Sequence, residues 1–245
     1  MRPFLFLATA VALTAAEPQR FTSGPSRVAL VELYTSEGCS SCPPAERWIA
    51  ARKDDAGLWR DYVPVAFHVD YWNQLGWPDR FSAREFTQRQ YALAEAWGTG
   101  SVYTPCFVRD GAEWRPAGER ALRANPAPAG TLTVTLDGGK VITEFAPANV
   151  KDAAGEFEIT VALLGGGLVS KVTAGENSGA TLRQEFVALG LGRHALAGTG
   201  GNHRAEFSLP NVIVKSKEAP RAVAAWVTRR GELAPVQATG GWLAP

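Results

Sequence analysis

"RVALVELYTSEGCSSCPP", residues 27–44, joins an apolar run to a pair of cysteines and a pair of prolines. Val28 to Thr35 is apolar and β-branched with one acid, Glu32, inside it, which predicts a buried strand. Gly38 and the cysteines form the turn that ends it. The continuation "PPAERWIAARKDD" places Ala45, Trp48, Ile49 and Arg52 on one helical face. A helix therefore starts near Cys42, with Pro43 and Pro44 in the first turn, where amide hydrogens have no helical partner in any case. Cys39 and Cys42 sit at a strand-to-helix junction, and their spacing fits a redox couple, half of a metal site or a static bridge.

Outward from this stretch, "YVPVAFHVDYW" alternates through Val63, Val65, Phe67 and Val69 and predicts a second strand, followed by a loop rich in tryptophan, Gly76 and Pro78. A second helix is expected after a capping box of Ser82 and Glu85, with Phe86, Leu93 and Trp97 as its apolar stripe and Gly98 as its stop. "VYTPCFVRDGAEWRPAG" offers a hairpin around Asp110-Gly111, and "ERALRAN", 119–125, a short closing helix. The simplest fold for this order is a parallel sheet extended by a hairpin, over residues 27–126. Beyond "ANPAPAG", 124–130, the composition changes to short β-rich runs separated by glycine clusters, with hairpin turns at 137–139 and 229–232. Only "ATLRQEFVALGLG", 180–192, has a helical pattern. A second, sandwich-like or partly open barrel domain over 130–245 follows, and within it Glu176, Asn177 and Gly179 of "GENSG" read as a tight turn.

At 245 residues the chain buries a core without needing disulfides to fold, and 46% hydrophobic with 20% charged residues is an ordinary globular composition. A formal net charge of +1 with no long basic run gives no footprint for nucleic acid or an anionic membrane surface. The N-terminus, "MRPFLFLATAVALTAAEPQR", carries Arg2, an apolar run from Phe4 to Ala16 and small residues before Glu17. It reads as a signal peptide over 1–16, too short for the roughly 20 residues of a membrane span. Periplasmic or secreted localisation is the expectation, with no span in the mature chain. Export takes Cys39, Cys42 and Cys106 to a compartment where disulfides persist, and an odd count leaves one thiol without an internal partner.

The positive end of a helix stabilises a thiolate on the outer cysteine, so Cys39 is the candidate attacking sulfur and Cys42 the resolving one. Trp72 and Trp77 of "DYWNQLGW" are candidate lips for a substrate chain. In the metal-binding alternative, Cys39, Cys42 and Cys106 with His68 as nitrogen ligand would suit Cu(I) or Zn(II).

"VELYTSEGCSSCPPAE", "AFHVDYWNQLGWPDRFS", "RQYA", "VYTP" and "GENSGATL" together resemble an exported bacterial family, domain of unknown function 1223, described as thioredoxin-like. The likeness covers roughly residues 27–243 and implies a fold but no established reaction. It implies a cis proline at Pro105 that, with Thr104, faces the cysteine pair and presents backbone to a substrate chain. Thioredoxin-like proteins also bury a proton-transferring carboxylate, usually six residues ahead of the first cysteine. Glu32 stands seven ahead and reads either as that acid or as a structural acid paired with a cation. Cys106 departs from the family pattern after Thr-Pro.

The expectation is thus an α/β thioredoxin-like domain followed by a β-rich domain, acting as an exported thiol–disulfide oxidoreductase. Cys39, Cys42, Pro105 and Glu32 are its candidate catalytic residues, and Thr104, Trp72 and Trp77 its candidate substrate contacts. It needs no cofactor; its partners are a thiol or disulfide protein substrate and a redox partner. The alternatives are the metal-binding protein and a structural or interaction protein with a static Cys39–Cys42 bridge.

Overall fold

The computed structural model describes residues 17–116, 122–149, 154–199, 201–215, 217 and 219–244. The leader over 1–16 and the first residues of the helix expected from 119 lie outside them. After β1 (Gln19–Thr22) and β2 (Ser26–Arg27), β3 (Ala29–Thr35) is buried along its whole length, Glu32 included. The cysteine turn leads into α1 (Pro43–Ala50), whose N-cap is Cys42. There follow β4 (Tyr62–His68), α2 (Arg84–Ala96), β5 (Cys106–Arg109) and β6 (Ala112–Trp114). β4 lies parallel to β3 on one side and β5 antiparallel on the other, giving the order β4-β3-β5-β6. The hairpin turns at Asp110 and Gly111, both at positive φ (52° and 83°), a conformation that aspartate and glycine tolerate. The expected capping box does not form. α2 has Ala83 at its N-cap, one residue later than the box needs, and the Ser82 hydroxyl instead donates to the Asp79 carbonyl.

The rest is predominantly β: β7 (Asn125–Pro128), β8 (Thr131–Asp137), β9 (Lys140–Ala146), β10 (Phe157–Gly165), β11 (Leu168–Lys171), β12 (Thr181–Gln184), β13 (Val187–Thr199), β14 (Asn202–Ser208), β15 (Ala222–Arg229) and β16 (Pro235–Trp242). An antiparallel series runs β16-β15-β10-β13-β14-β9-β8-β1, while β11 and β12 form a separate two-stranded ladder. The helix expected over 180–192 is absent. Leu182 and Gln184 of β12 turn inward, and Val187 to Leu189 continue as a fully buried run beside β10 and β4. Tertiary burial overrides the local helical pattern there.

β10 and β15 explain how the two parts meet. On one face Phe157, Ile159, Val161, Val223, Ala225 and Val227 fill a core with β8 and β9. On the other, Ala162, Leu164, Ala224 and Trp226 pack into the core that holds β3, β4 and both helices. Val161 to Leu164 of β10 and Ala222 to Val227 of β15 are therefore apolar at successive positions, and burying each large side chain contributes about 2 kcal/mol. β13 also enters the α/β sheet beside β4, where the Ala66 amide donates to the Phe186 carbonyl at 2.8 Å.

Candidate functional site around Cys39 and Cys42

Cys39 and Cys42 are joined in a disulfide, and both are fully buried (0% exposed). The turn is held by its own backbone: the Cys39 amide donates to the Ser36 carbonyl (3.1 Å) and the Cys42 amide to the Cys39 carbonyl (3.2 Å). Ala45 and Glu46 amides then close on the Cys42 carbonyl, starting α1 where the prolines allow it. Tyr34 pairs with Cys106, so the residues just after β3 and just before β5 share one sheet edge. Pro105 precedes β5 there, and its bond to Thr104 is cis, as expected. The Trp72 indole donates to the Thr104 hydroxyl at 2.8 Å, and the Trp77 indole donates to Glu37 at 2.8 Å. Both tryptophans are half-buried parts of the frame around the turn.

Beneath the turn lies a set of buried ionisable groups. Asp79 is its hub: it faces His68 Nδ1 at 2.6 Å and accepts from the amides of Glu37 and Phe81, each at 2.8 Å. Burial opposes charge on His68, but the Asp79 carboxylate, with Glu46 and Glu37 nearby, outweighs it and pushes the imidazole up to about 9. Asp79 is held below the usual carboxylate range: burial works against this, but His68 and the amide donors prevail. Glu46 accepts from the Thr35 hydroxyl at 2.8 Å. Burial raises its pKa above the ordinary value, His68 and Thr35 only partly opposing. Glu46 stands four residues after Cys42, one helical turn on along the same face of α1.

Glu32 faces the other way. Side chains alternate along a strand, so Thr35, which meets α1 through Glu46, and Tyr34 with Glu32 lie on opposite faces of β3. Glu32 is chelated by Arg89 of α2 (2.8 and 2.9 Å) and accepts from the Tyr34 hydroxyl (2.8 Å). Cys106, across from Tyr34, shares that face, and with Gln90, Trp97, Tyr103 and Glu113 lines a cavity of about 110 Å³. Burial pushes its thiol up to about 11. The alternative metal set is therefore split: Cys39 and Cys42 bond each other, Cys106 turns to the α2 face, and His68 is engaged by Asp79. Among the described residues no His, Cys, Asp and Glu cluster is arranged to hold a metal ion.

The cysteine turn also has a cover. Asn177, between β11 and β12, donates from its side-chain amide to the carbonyls of Glu37 and Cys39, each at 2.9 Å. Its neighbour Glu176 accepts from the Ser40 amide at 3.0 Å.

Residues 30–228 match the family described as "Protein of unknown function (DUF1223)". The chain belongs to the DUF1223 family. No curated protein matches its sequence. Two solved structures resemble this DUF1223 chain in fold. One is a crystal structure of an Agrobacterium tumefaciens protein, 23% identical, with TM-score 0.61 over 89% of this chain and 95% of that one. The other is HBP35 of Porphyromonas gingivalis, 13% identical, with TM-score 0.59 over 90% of this chain and 76% of that one.

Sequence reasoning about this DUF1223 member did not single out Glu46, Asp79, Glu37 or Asn177 as site residues. Glu46 had a signal, its four-residue spacing from Cys42 on a helix. Asp79 had none, because its role depends on three segments meeting. "GENSG" was legible as a turn, and it is one, but what the turn rests on was not. Among the described residues no helix is long and apolar enough to cross a membrane.

Proposed function

We propose that this protein is an exported thiol–disulfide oxidoreductase built on a thioredoxin-like unit, with Cys39–Cys42 as its exchange site. The observation that carries the reading is the disulfide at the N-terminus of α1, at the same sheet edge as the cis Thr104–Pro105 bond. The strand order β4-β3-β5-β6 supports the thioredoxin-like assignment.

In the oxidised protein a substrate thiolate attacks Cys39 Sγ, the Cys39–Cys42 bond breaks, and Cys42 leaves as a thiolate that takes up a proton. A second substrate thiolate then attacks the substrate sulfur of the mixed disulfide, releasing Cys39 and an oxidised substrate. Two electrons have passed to the protein, and a redox partner removes them. In the reverse direction Cys39 attacks a substrate disulfide and Cys42 resolves it. Glu46, on the Cys42 face of α1 with a raised pKa, is the group suited to exchange the Cys42 proton, and Glu32 is a structural acid. Thr104 and Pro105 position the substrate chain, with Trp72 and Trp77 framing the approach.

Complete burial of both sulfurs favours a second reading, a static bridge. A redox titration with mass-spectrometric trapping separates the two. The exchange reading expects Cys42→Ser to accumulate mixed disulfides at Cys39; a potential too negative for turnover, with nothing trapped, would establish the static bridge.

A further inference from the structure

Among the described residues the β11–β12 ladder is joined to no other strand. Its register is short, Leu168–Gln184 to Lys171–Thr181, and a two-stranded ribbon of that kind has little stability of its own. It leaves the core through Gly165, Gly166 and Gly167, the last at φ 67°, and returns through Glu185 and Phe186, the latter at φ 58°. Gly167 and Phe186 put left-handed backbone at both roots, and the Gly167 amide donates to the Glu185 carboxylate at 2.9 Å, so the arm leaves and returns at one joined point that can serve as a hinge.

The tip, by contrast, is braced. The Val172 amide donates to the Ala180 carbonyl and the Gly179 amide to the Val172 carbonyl, both at 2.9 Å, and the Ser178 hydroxyl donates to the Thr173 carbonyl at 3.2 Å. This rigid tip bridges two rims of the site. Asn177 and Glu176 hold the cysteine turn, and Gly175 sits so close to the tryptophan loop that a Cβ there would lie 3.1 Å from Trp77 Cβ.

The underside of the arm mixes buried apolar side chains with two buried polar ones. Ser170 and Gln184 are buried at 5% and 2% exposure. The Ser170 hydroxyl and both polar atoms of the Gln184 amide have no hydrogen-bond partner among the described residues. Buried polar groups without partners favour an open state, in which water reaches them, over a closed one. Leu168, Val172 and Leu182 are buried on the same face and the Arg80 guanidinium donates to the Val169 carbonyl at 3.1 Å, so the closed arm is held at its tip and by these contacts, with Ser170 and Gln184 as its weak points.

We infer that the β11–β12 arm is a hinged lid over the Cys39–Cys42 disulfide, latched by Asn177, which must lift before a thiol reaches Cys39 and so sets which thiols the site accepts. The inference rests on the disulfide being the exchange site proposed above. Asn177 is a positioning residue here: its amide bonds backbone carbonyls and takes no part in the sulfur chemistry. An incoming chain that reaches Thr104 and Cys39 must displace it.

The test is the rate at which dithiothreitol and glutathione reduce the disulfide in the purified oxidised protein, read by maleimide trapping and mass spectrometry. Asn177→Ala, losing both bonds to the turn, should be reduced about tenfold faster or more, with the larger gain for the bulkier glutathione. Gln184→Leu, which removes the unpartnered amide under the closed arm, should be reduced several-fold more slowly. A general loosening of the fold accelerates reduction in both variants, so the opposite signs are diagnostic, and Gln184→Leu carries the test if Asn177→Ala does not fold. Equal rates in wild type and variants, or acceleration in both, would overturn the lid. Failure of the oxidoreductase reading looks different: the variants then shift the reduction rates as stated while Cys42→Ser still traps no partner.

Discussion

Arg89 holds both carboxylate oxygens of Glu32, at 2.8 and 2.9 Å, in a pair that is almost wholly buried. Its guanidinium also lies 5.1 Å from the ring centre of Trp226, so a single cation ties α2, β3 and the β-rich part together. Removing it strands a buried carboxylate. Arg89→Met should destabilise the protein by about 3–5 kcal/mol in urea unfolding, and adding Glu32→Gln should recover a large part of that. Near-additive losses in the double-mutant cycle would show that the pair is not the unit assumed.

His68 makes stability depend on pH in a defined window. Its folded pKa, about 9, exceeds its ordinary value of 6.5. The charged imidazole therefore contributes fully below about pH 6.5, and the contribution is lost as pH rises through 9. Wild type should lose roughly 3 kcal/mol between pH 6.5 and 10. His68→Asn, less stable at neutral pH, should show a flatter profile over the same window, and parallel profiles would refute the assignment.

Glu46 has the opposite consequence at neutral pH. A carboxyl whose folded pKa is raised is stabilising below the ordinary carboxylate range, and that advantage is lost as pH rises through the raised value. Glu46→Gln removes the titration, so its stability relative to wild type should improve from pH 4 to pH 7. The same variant should slow thiol–disulfide exchange at least roughly tenfold, the low end for a lost proton-transfer group. Unchanged exchange rates would leave Glu46 a structural acid.

Cys106 is the one cysteine outside the disulfide, and burial pushes its thiol up to about 11. Only about one molecule in a thousand carries its thiolate at pH 8. In the reduced native protein, iodoacetamide should label Cys39 first and leave Cys106 unmodified until the chain is unfolded. Cys106→Ala should leave exchange rates within about twofold of wild type, and a larger loss would bring the third sulfur into the reaction.

Gln237 is a further buried amide, fully used. Its Oε1 accepts from the Val28 and Ala238 amides at 2.9 and 3.0 Å, and its two Nε2 hydrogens are shared among the Gly24, Ser26 and Gly130 carbonyls at 3.1, 3.0 and 2.7 Å. It fastens the chain just before β3 to β16. Gln237→Leu keeps most of the volume but strands several backbone groups, and should cost about 3 kcal/mol or more in urea unfolding with an unchanged m value.

The sequence carries the local order of the site: a buried strand, a cysteine turn, a helix opened by prolines, a second strand, and Thr104-Pro105 ahead of a hairpin. Those features are legible because apolar period, turn chemistry and cysteine spacing act over a few residues. It did not determine where each acid goes. Glu32 and Thr35 are three residues apart on a strand and therefore face opposite layers, so the strand acid went to Arg89 and the helix acid Glu46 came to the turn. Nor could it show that Asn177 reaches the Cys39 carbonyl, 138 residues away in the chain. A turn signal records the conformation of its own backbone; what the turn touches is set by β10 and β15, whose two buried faces bring the β-rich part against the sheet.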